Sequence, residues 1–172
     1  MARGGIQEFT VDKICAEAGV SRGLITHHFG SMNGLLAAVY AAMYQDATRI
    51  DDRIAPGKTR LSALLDAFFS RQAFSREALN IWLTLWGQIS INPELRDEHR
   101  SQYAGYLADV AAAIRETAAK NGRVVDAEDV ARGLICLVDG LGIQHCIDPD
   151  TMPPARARET CRAFLQPLIG LF

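Results

Sequence analysis

A chain of 172 residues, 49% apolar and 22% charged, holds enough apolar material for one bundled core or for two small units that share one. Its formal net charge of −2 excludes a generally basic nucleic-acid coat, so any DNA affinity must come from the placement of a few groups. No unbroken apolar run approaches the ~18 residues of a membrane span, the start is too short and polar for a signal peptide, and Cys15, Cys136, Cys146 and Cys161 form no C-x-x-C pair. The expectation is a cytoplasmic protein with buried, reduced thiols, no metal and no cofactor.

Thr10 is a good N-cap, and Val11, Ile14, Cys15 and Ala18 give one apolar face to a helix over 11–18. Gly19 supplies the positive φ that ends it. Val20 plugs the turn, and Ser21 caps a second helix over about 22–28, with Ile25 and Phe29 inward. Ser21, Arg22, Gly23, Thr26, His27 and His28 are left outside, with short, polar or cationic side chains that suit phosphates and base edges. Spacing alone allows two readings: a plain helical hairpin, or a helix-turn-helix whose second helix enters the major groove.

Ser31 opens a long helix over 31–54, with Leu35, Leu36, Val39, Tyr40, Met43, Ala47 and Ile50 at helical spacing. A rod of ~23 residues is roughly 35 Å long and makes a plausible lever between two halves. Pro56-Gly57-Lys58 ends it. Thr59 opens a helix carrying Leu61, Leu64, Leu65, Phe68 and Phe69, and Ser75 another carrying Leu79, Trp82, Leu83, Trp86 and Ile89. The pattern over 93–120 puts Leu95, Tyr103, Tyr106, Leu107, Val110 and Ile114 inward before Asn121-Gly122 breaks it. Asp126 caps a helix over 130–147 that is apolar nearly all round and must be covered on several sides. A last helix starts near 155, and Pro167 kinks or ends it. Strand-like alternation is absent, so the expected fold is all-α. The expected division is an N-terminal unit over 1–45 that holds the short helix pair, and a C-terminal helical bundle over 46–172.

The segment 10–36 closely resembles the DNA-binding domain of the TetR family of repressors. It shares the Thr-Val start, Ile14, the Ala18-Gly19-Val20-Ser21 turn, Gly23, the aromatic end at His28-Phe29, and Leu35-Leu36. The resemblance implies a dimeric repressor that leaves a palindromic double-stranded operator when a small molecule binds. It implies phosphate contacts at Thr10, Ser21 and His28, and places Arg22, Gly23, Thr26 and His27 nearest the bases. Met32 stands where the family carries a phosphate-contacting lysine, and Asn33 follows it on the DNA side. One lost phosphate contact flattens the salt dependence by about one counterion. Residues 1–9 match only the last turn of the family's first helix and the loop after it. The expectation is therefore weak DNA binding by this 172-residue form, rescued by an upstream helix. The alternative is a dimeric ligand-binding or interaction module that has lost DNA binding.

A second resemblance lies in Leu79-Asn-Ile-Trp-Leu-Thr-Leu-Trp86, Asn92-Pro-Glu-Leu-Arg96 and Leu134-Ile-Cys-Leu-Val-Asp-Gly-Leu141, which are similar to the regulatory domain of BetI-type repressors. It implies an effector of the quaternary-amine class, such as choline. Trp82 and Trp86 share a helix face and, with Phe68, Tyr103 and Tyr106, are either core filler or the wall of an apolar pocket. In a cage, each desolvated ring holds a quaternary amine by roughly 2 kcal/mol or more. Asp139 would balance the charge, and Gln88 or His145 would orient the ligand. Alternatively Asp139 pairs with Arg132, Arg156 or Arg158, or across a dimer, because a buried carboxylate needs a partner. Gly133, Gly140 and Gly142 would let another helix approach closely, so the 130–147 helix is either the centre of a monomer or, as the family implies, part of a homodimer interface through the last two helices. Catalysis is not expected. His27 and His28 are adjacent and diverge, and Asp97-Glu98-His99 lacks the second histidine of a zinc-protease helix.

Overall fold

The computed structural model describes residues 1–2, 4–48, 54–55 and 57–172. Among the described residues the fold is helical. A 3-10 turn at Gly5–Glu8 precedes α1 (Val11–Ala18), α2 (Arg22–Phe29), α3 (Met32–Thr48), α4 (Arg60–Phe68), α5 (Arg76–Ile91), α6 (Pro93–Lys120), α7 (Ala127–Ile147) and α8 (Pro154–Ile169).

Side-chain caps set most of the helix starts. Thr10 Oγ1 accepts from the Lys13 amide at 3.4 Å, Ser21 Oγ from Leu24 at 3.3 Å and Ser31 Oγ from Gly34 at 3.0 Å. Thr59, Ser75, Asn92 and Asp126 cap α4 to α7 in the same way. Each cap satisfies an amide with no partner inside the helix and contributes about 1 kcal/mol. Gly19 ends α1 at φ 66°, a conformation that strains any residue with a Cβ.

Several expectations need adjustment. The helix expected over 31–54 is seen through Thr48, and residues 49–53, like Pro56, lie outside the described residues. Pro167 sits inside α8, which runs on to Ile169, because so close to the end the ring disturbs only the last turn. Contrary to the count of unbroken apolar residues, α7 is long and apolar enough to cross a membrane. The single polar residues along it hid this from a run count. Here it packs against α5, α6 and α8, with Ala131, Leu134, Ile135 and Leu141 buried, which accounts for its composition. Cys136 is exposed rather than buried, on the side of α7 that also carries Arg132, Ile143 and Ile147. Two of the three α7 glycines serve contacts within the chain. A Cβ at Gly133 would meet the Phe164 ring at 2.9 Å, and one at Gly142 would meet Leu79 Cδ2 at 2.9 Å.

Buried side chains form two clusters. The larger joins Leu61, Leu64 and Leu65 of α4 to Val110 and Ile114 of α6, Leu134 of α7, and Leu165 and Ile169 of α8. The smaller joins Leu36, Tyr40 and Tyr44 of α3 to Leu85 and Ile89 of α5 and Leu95 of α6. Helix α3 also packs on α2, so one continuous helix touches both the N-terminal helix pair and the bundle.

Candidate DNA-reading face and effector cavity

On α2, Ile25 is 6% exposed and anchors the helix from beneath, while Arg22, Gly23, Thr26, His27 and His28 are all exposed. Thr10, Ser21 and Asn33 are exposed at the starts of α1, α2 and α3, on helix N-termini whose free amides favour anions. Thr26 Oγ1 turns back to the Arg22 carbonyl at 3.4 Å. The His27 and His28 rings meet edge to face at 5.2 Å. The Arg22 guanidinium is ion-paired with Asp12, a partner sequence spacing did not suggest. Phe29 departs from the inward position expected for it. It is 40% exposed and packs in neither core cluster, because it lies at the last residue of α2.

The second site is a cavity of about 110 Å³ between the two clusters. On the same measure a single water needs only ~10–15 Å³, so the space suits a small organic molecule. Tyr44 of α3, Phe68 of α4, Ala73 and Phe74 of the following turn, Leu79, Trp82 and Trp86 of α5, Tyr106 of α6, and Ile135, Val138 and Asp139 of α7 line it. The rings form a connected wall. Tyr44 meets Trp82 at 5.2 Å and 90°, and Tyr106 at 5.6 Å and 77°. Phe68 meets Tyr106 at 6.1 Å, and the Trp82 and Trp86 rings stack at 6.0 Å.

Among the described residues, Asp139 is the only carboxylate in that lining. Among the described residues it has no hydrogen bond and no ion pair. The arginines expected to pair with it are engaged elsewhere or too far away. Arg132 binds Glu128 at 3.6 Å and Asp129 at 3.8 Å, Arg158 binds Asp66, and no ion pair joins Arg156 to Asp139. Burial pushes the Asp139 carboxyl up to about 6. Burial also raises the Tyr44 and Tyr106 phenols above their usual range, so the cavity offers neutral hydroxyls and a single acid.

Of the residues nominated from sequence, Phe68, Trp82, Trp86, Tyr106 and Asp139 come together in the lining. Gln88, Tyr103 and His145 do not. Gln88 follows Trp86 by two positions, which turns its side chain to roughly the opposite side of α5. The Tyr103 ring packs on His99 at 5.3 Å. His145 lies behind Phe74, rings 4.9 Å apart, and its Nδ1–H donates to the Met152 carbonyl at 2.9 Å. The residues missed are Tyr44, Ala73, Phe74, Leu79, Ile135 and Val138. For Tyr44 a signal existed: it follows the inward Tyr40 by one helical turn.

A polar string leaves the cavity along α3. Tyr40, 1% exposed, lies 2.5 Å from Nδ1 of His99 on α6 and hydrogen-bonds the Tyr44 hydroxyl. Burial holds His99 below the usual histidine range. The cavity wall, the helix that carries α2, and α6 are thus linked by directed bonds as well as by packing.

Two short capped helices with an exposed polar face, joined by one helix to a bundle that encloses an aromatic cavity, define a helix-turn-helix regulator of transcription. Residues 1–39 match the model for bacterial regulatory proteins of the tetR family, and 57–170 match the C-terminal domain of BetI-type transcriptional repressors. The chain belongs to the TetR family, with a BetI-type C-terminal half. Among curated relatives, the transcriptional regulator BetI 2 of Chromohalobacter salexigens is 29% identical over 96% of this chain and 81% of its own length. A transcriptional regulator from Pseudomonas aeruginosa superposes with a TM-score of 0.82 at 34% identity, covering 96% of this chain and 83% of that one. A transcriptional regulator from Saccharomonospora viridis, solved in complex with choline, superposes with a TM-score of 0.73 at 26% identity, covering 96% and 88%. The chain is a DNA-binding repressor and not an enzyme, and TetR regulators act through operator DNA and small-molecule effectors. The reading as a module without DNA binding is not favoured, since residues 1–39 match the tetR-family regulatory model.

Proposed function

We propose that this repressor is a cytoplasmic homodimer that releases a palindromic operator when a small quaternary ammonium compound of the choline type enters the cavity. One observation carries the reading: Asp139, a carboxylate with no partner among the described residues, faces a wall of aromatic rings. A quaternary cation has no N–H to donate, so it needs what this cavity has: π-faces around it and one counter-charge. The choline complex of the Saccharomonospora viridis relative supports the ligand class. Tyr44, Phe68, Trp82, Trp86, Tyr106 and Asp139 are the proposed contacts.

Thr10, Ser21, Arg22, Gly23, Thr26, His27, His28 and Asn33 form the proposed DNA face, in an N-terminal unit of about 1–45 that shares α3 with an effector and dimerisation unit of 46–172. For the dimer, Ile143 at 37%, Ile147 at 70%, Leu168 at 38% and Leu171 at 77% exposure leave apolar area on α7, α8 and the tail that a twofold partner would cover. Effector binding that pushes on Tyr44 moves α3 and with it α2. The distance between the two recognition helices then departs from the ~34–36 Å that successive major grooves demand.

The test is direct because the chain has only two tryptophans, Trp82 and Trp86. Titrating choline against intrinsic fluorescence should give a saturable change at or below the millimolar range, absent for the isosteric uncharged alcohol 3,3-dimethylbutanol. Equal response to both compounds, or none to choline, would reject the proposed ligand class.

A further inference from the structure

We propose that Asp12 is a positioning residue for DNA reading: it holds the Arg22 guanidinium so that a two-donor edge faces a guanine in the major groove. This rests on the assignment of Arg22 to the DNA face. Asp12 lies in the first turn of α1 and Arg22 is the first residue of α2, so their ion pair spans the helix-turn-helix from one helix start to the other. The two side chains are 70% and 71% exposed, and such a pair contributes little to stability. Its effect is on direction. Arg22 Nη2 carries two hydrogens and gives one to Asp12 Oδ1. The other Nη2–H and the Nη1 hydrogens remain as the parallel fork that matches guanine O6 and N7.

The charge argues the same way. A carboxylate on a face meant for phosphates weakens attraction to every duplex equally. Pairing with Arg22 offsets that at the one place where direction matters. Asp12 therefore lowers general affinity and raises discrimination, since a free arginine on a flexible stem spreads its contacts over phosphates and any acceptor base. Lys13 does not serve as this partner, being bound to Glu8 at 2.7 Å.

Wild type, Asp12→Asn, Arg22→Ala and the double variant are each used to select sites from a randomised duplex pool. Affinities are then titrated on the wild-type consensus, on that duplex with single guanines replaced, and on a random duplex. Arg22→Ala should lose preference for one guanine in each half-site. Asp12→Asn should weaken that same preference about fivefold while binding random duplex as well as wild type or better, and the double variant should match Arg22→Ala. If Asp12→Asn keeps the full guanine preference that Arg22→Ala loses, the inference falls and the Arg22 assignment stands. If Asp12→Asn weakens all duplexes by one factor, its role is structural and the inference falls. If Arg22→Ala leaves every guanine preference intact, both fail.

Discussion

The two ends of α3 meet opposite kinds of surface. At the α2 end one side chain of the recognition helix is buried and the rest face solvent, whereas at the bundle end α3 contributes the buried rings of Tyr40 and Tyr44 to an aromatic cluster. The DNA end is held by caps, a glycine turn and a few contacts. The effector end is held by packing around a cavity that five helices share. The difference teaches that an exposed reading face can be specified locally, whereas a binding cavity exists only through the whole bundle. A ligand gains leverage on DNA through the helix that belongs to both.

Core truncation should break the comparison most strongly. Leu134→Ala, at a site 0% exposed, should destabilise the protein by about 2–5 kcal/mol, whereas Leu24→Ala on α2, at 41% exposed, should stay within about 0.5 kcal/mol in thermal or urea unfolding. Next comes Asp139→Asn, which should weaken choline binding by about 30-fold or more, the loss expected when a partly desolvated cation is left without its counter-charge. The pH dependence follows from the raised Asp139 carboxyl, about 6 against an ordinary 3.8. Choline affinity should be flat above pH 6, fall about tenfold per unit below it, and lose that slope in Asp139→Asn. Without ligand the sign reverses for stability. The contribution of the protonated acid is fully present below about pH 4 and is lost as pH rises through about 6, by roughly 3 kcal/mol, and Asp139→Asn should remove that decline in pH-dependent melting. A smaller effect is expected of Tyr40→Phe. It keeps the ring but cuts the string to His99 and Tyr44, so it should cost about 1 kcal/mol of stability and reduce choline-driven operator release more than choline binding. Smallest is Ser21→Ala, which removes the α2 cap at about 0.5–1 kcal/mol and should lower operator affinity with no change in choline affinity.

The helices were legible because their signals are local. Thr10, Ser21, Thr59, Ser75 and Asp126 cap the helices they were expected to open, and α6 runs over the span its pattern predicts, Pro93 to Lys120. The aromatic pair on α5 was also readable, since one turn of helix places Trp82 beside Trp86 whatever surrounds them. What faces that pair was not. Helical spacing puts Tyr44 on the side of Tyr40 and Leu79 on the side of Trp82, but which elements meet across the cavity, Phe74 of the α4–α5 turn included, depends on how the helices cross. His145 looked like a ligand-orienting group until the loop after α7 folded back and took its Nδ1–H through Met152. Phe29 followed the apolar spacing of α2 but lies where that spacing no longer meets a neighbour. The Asp12–Arg22 pair joins positions ten apart across a turn, and pattern reading on either helix alone passes over it.

The central claim is that occupancy at Asp139 and hold on DNA are one equilibrium. Polarisation of a labelled duplex, selected by the wild-type protein from a randomised pool, measures it with and without saturating choline, for wild type and for Asp139→Asn. Choline should raise the wild-type operator Kd by about 5- to 150-fold and leave that of Asp139→Asn unchanged. Tryptophan fluorescence that reports full choline occupancy while the wild-type operator Kd stays the same would contradict the account.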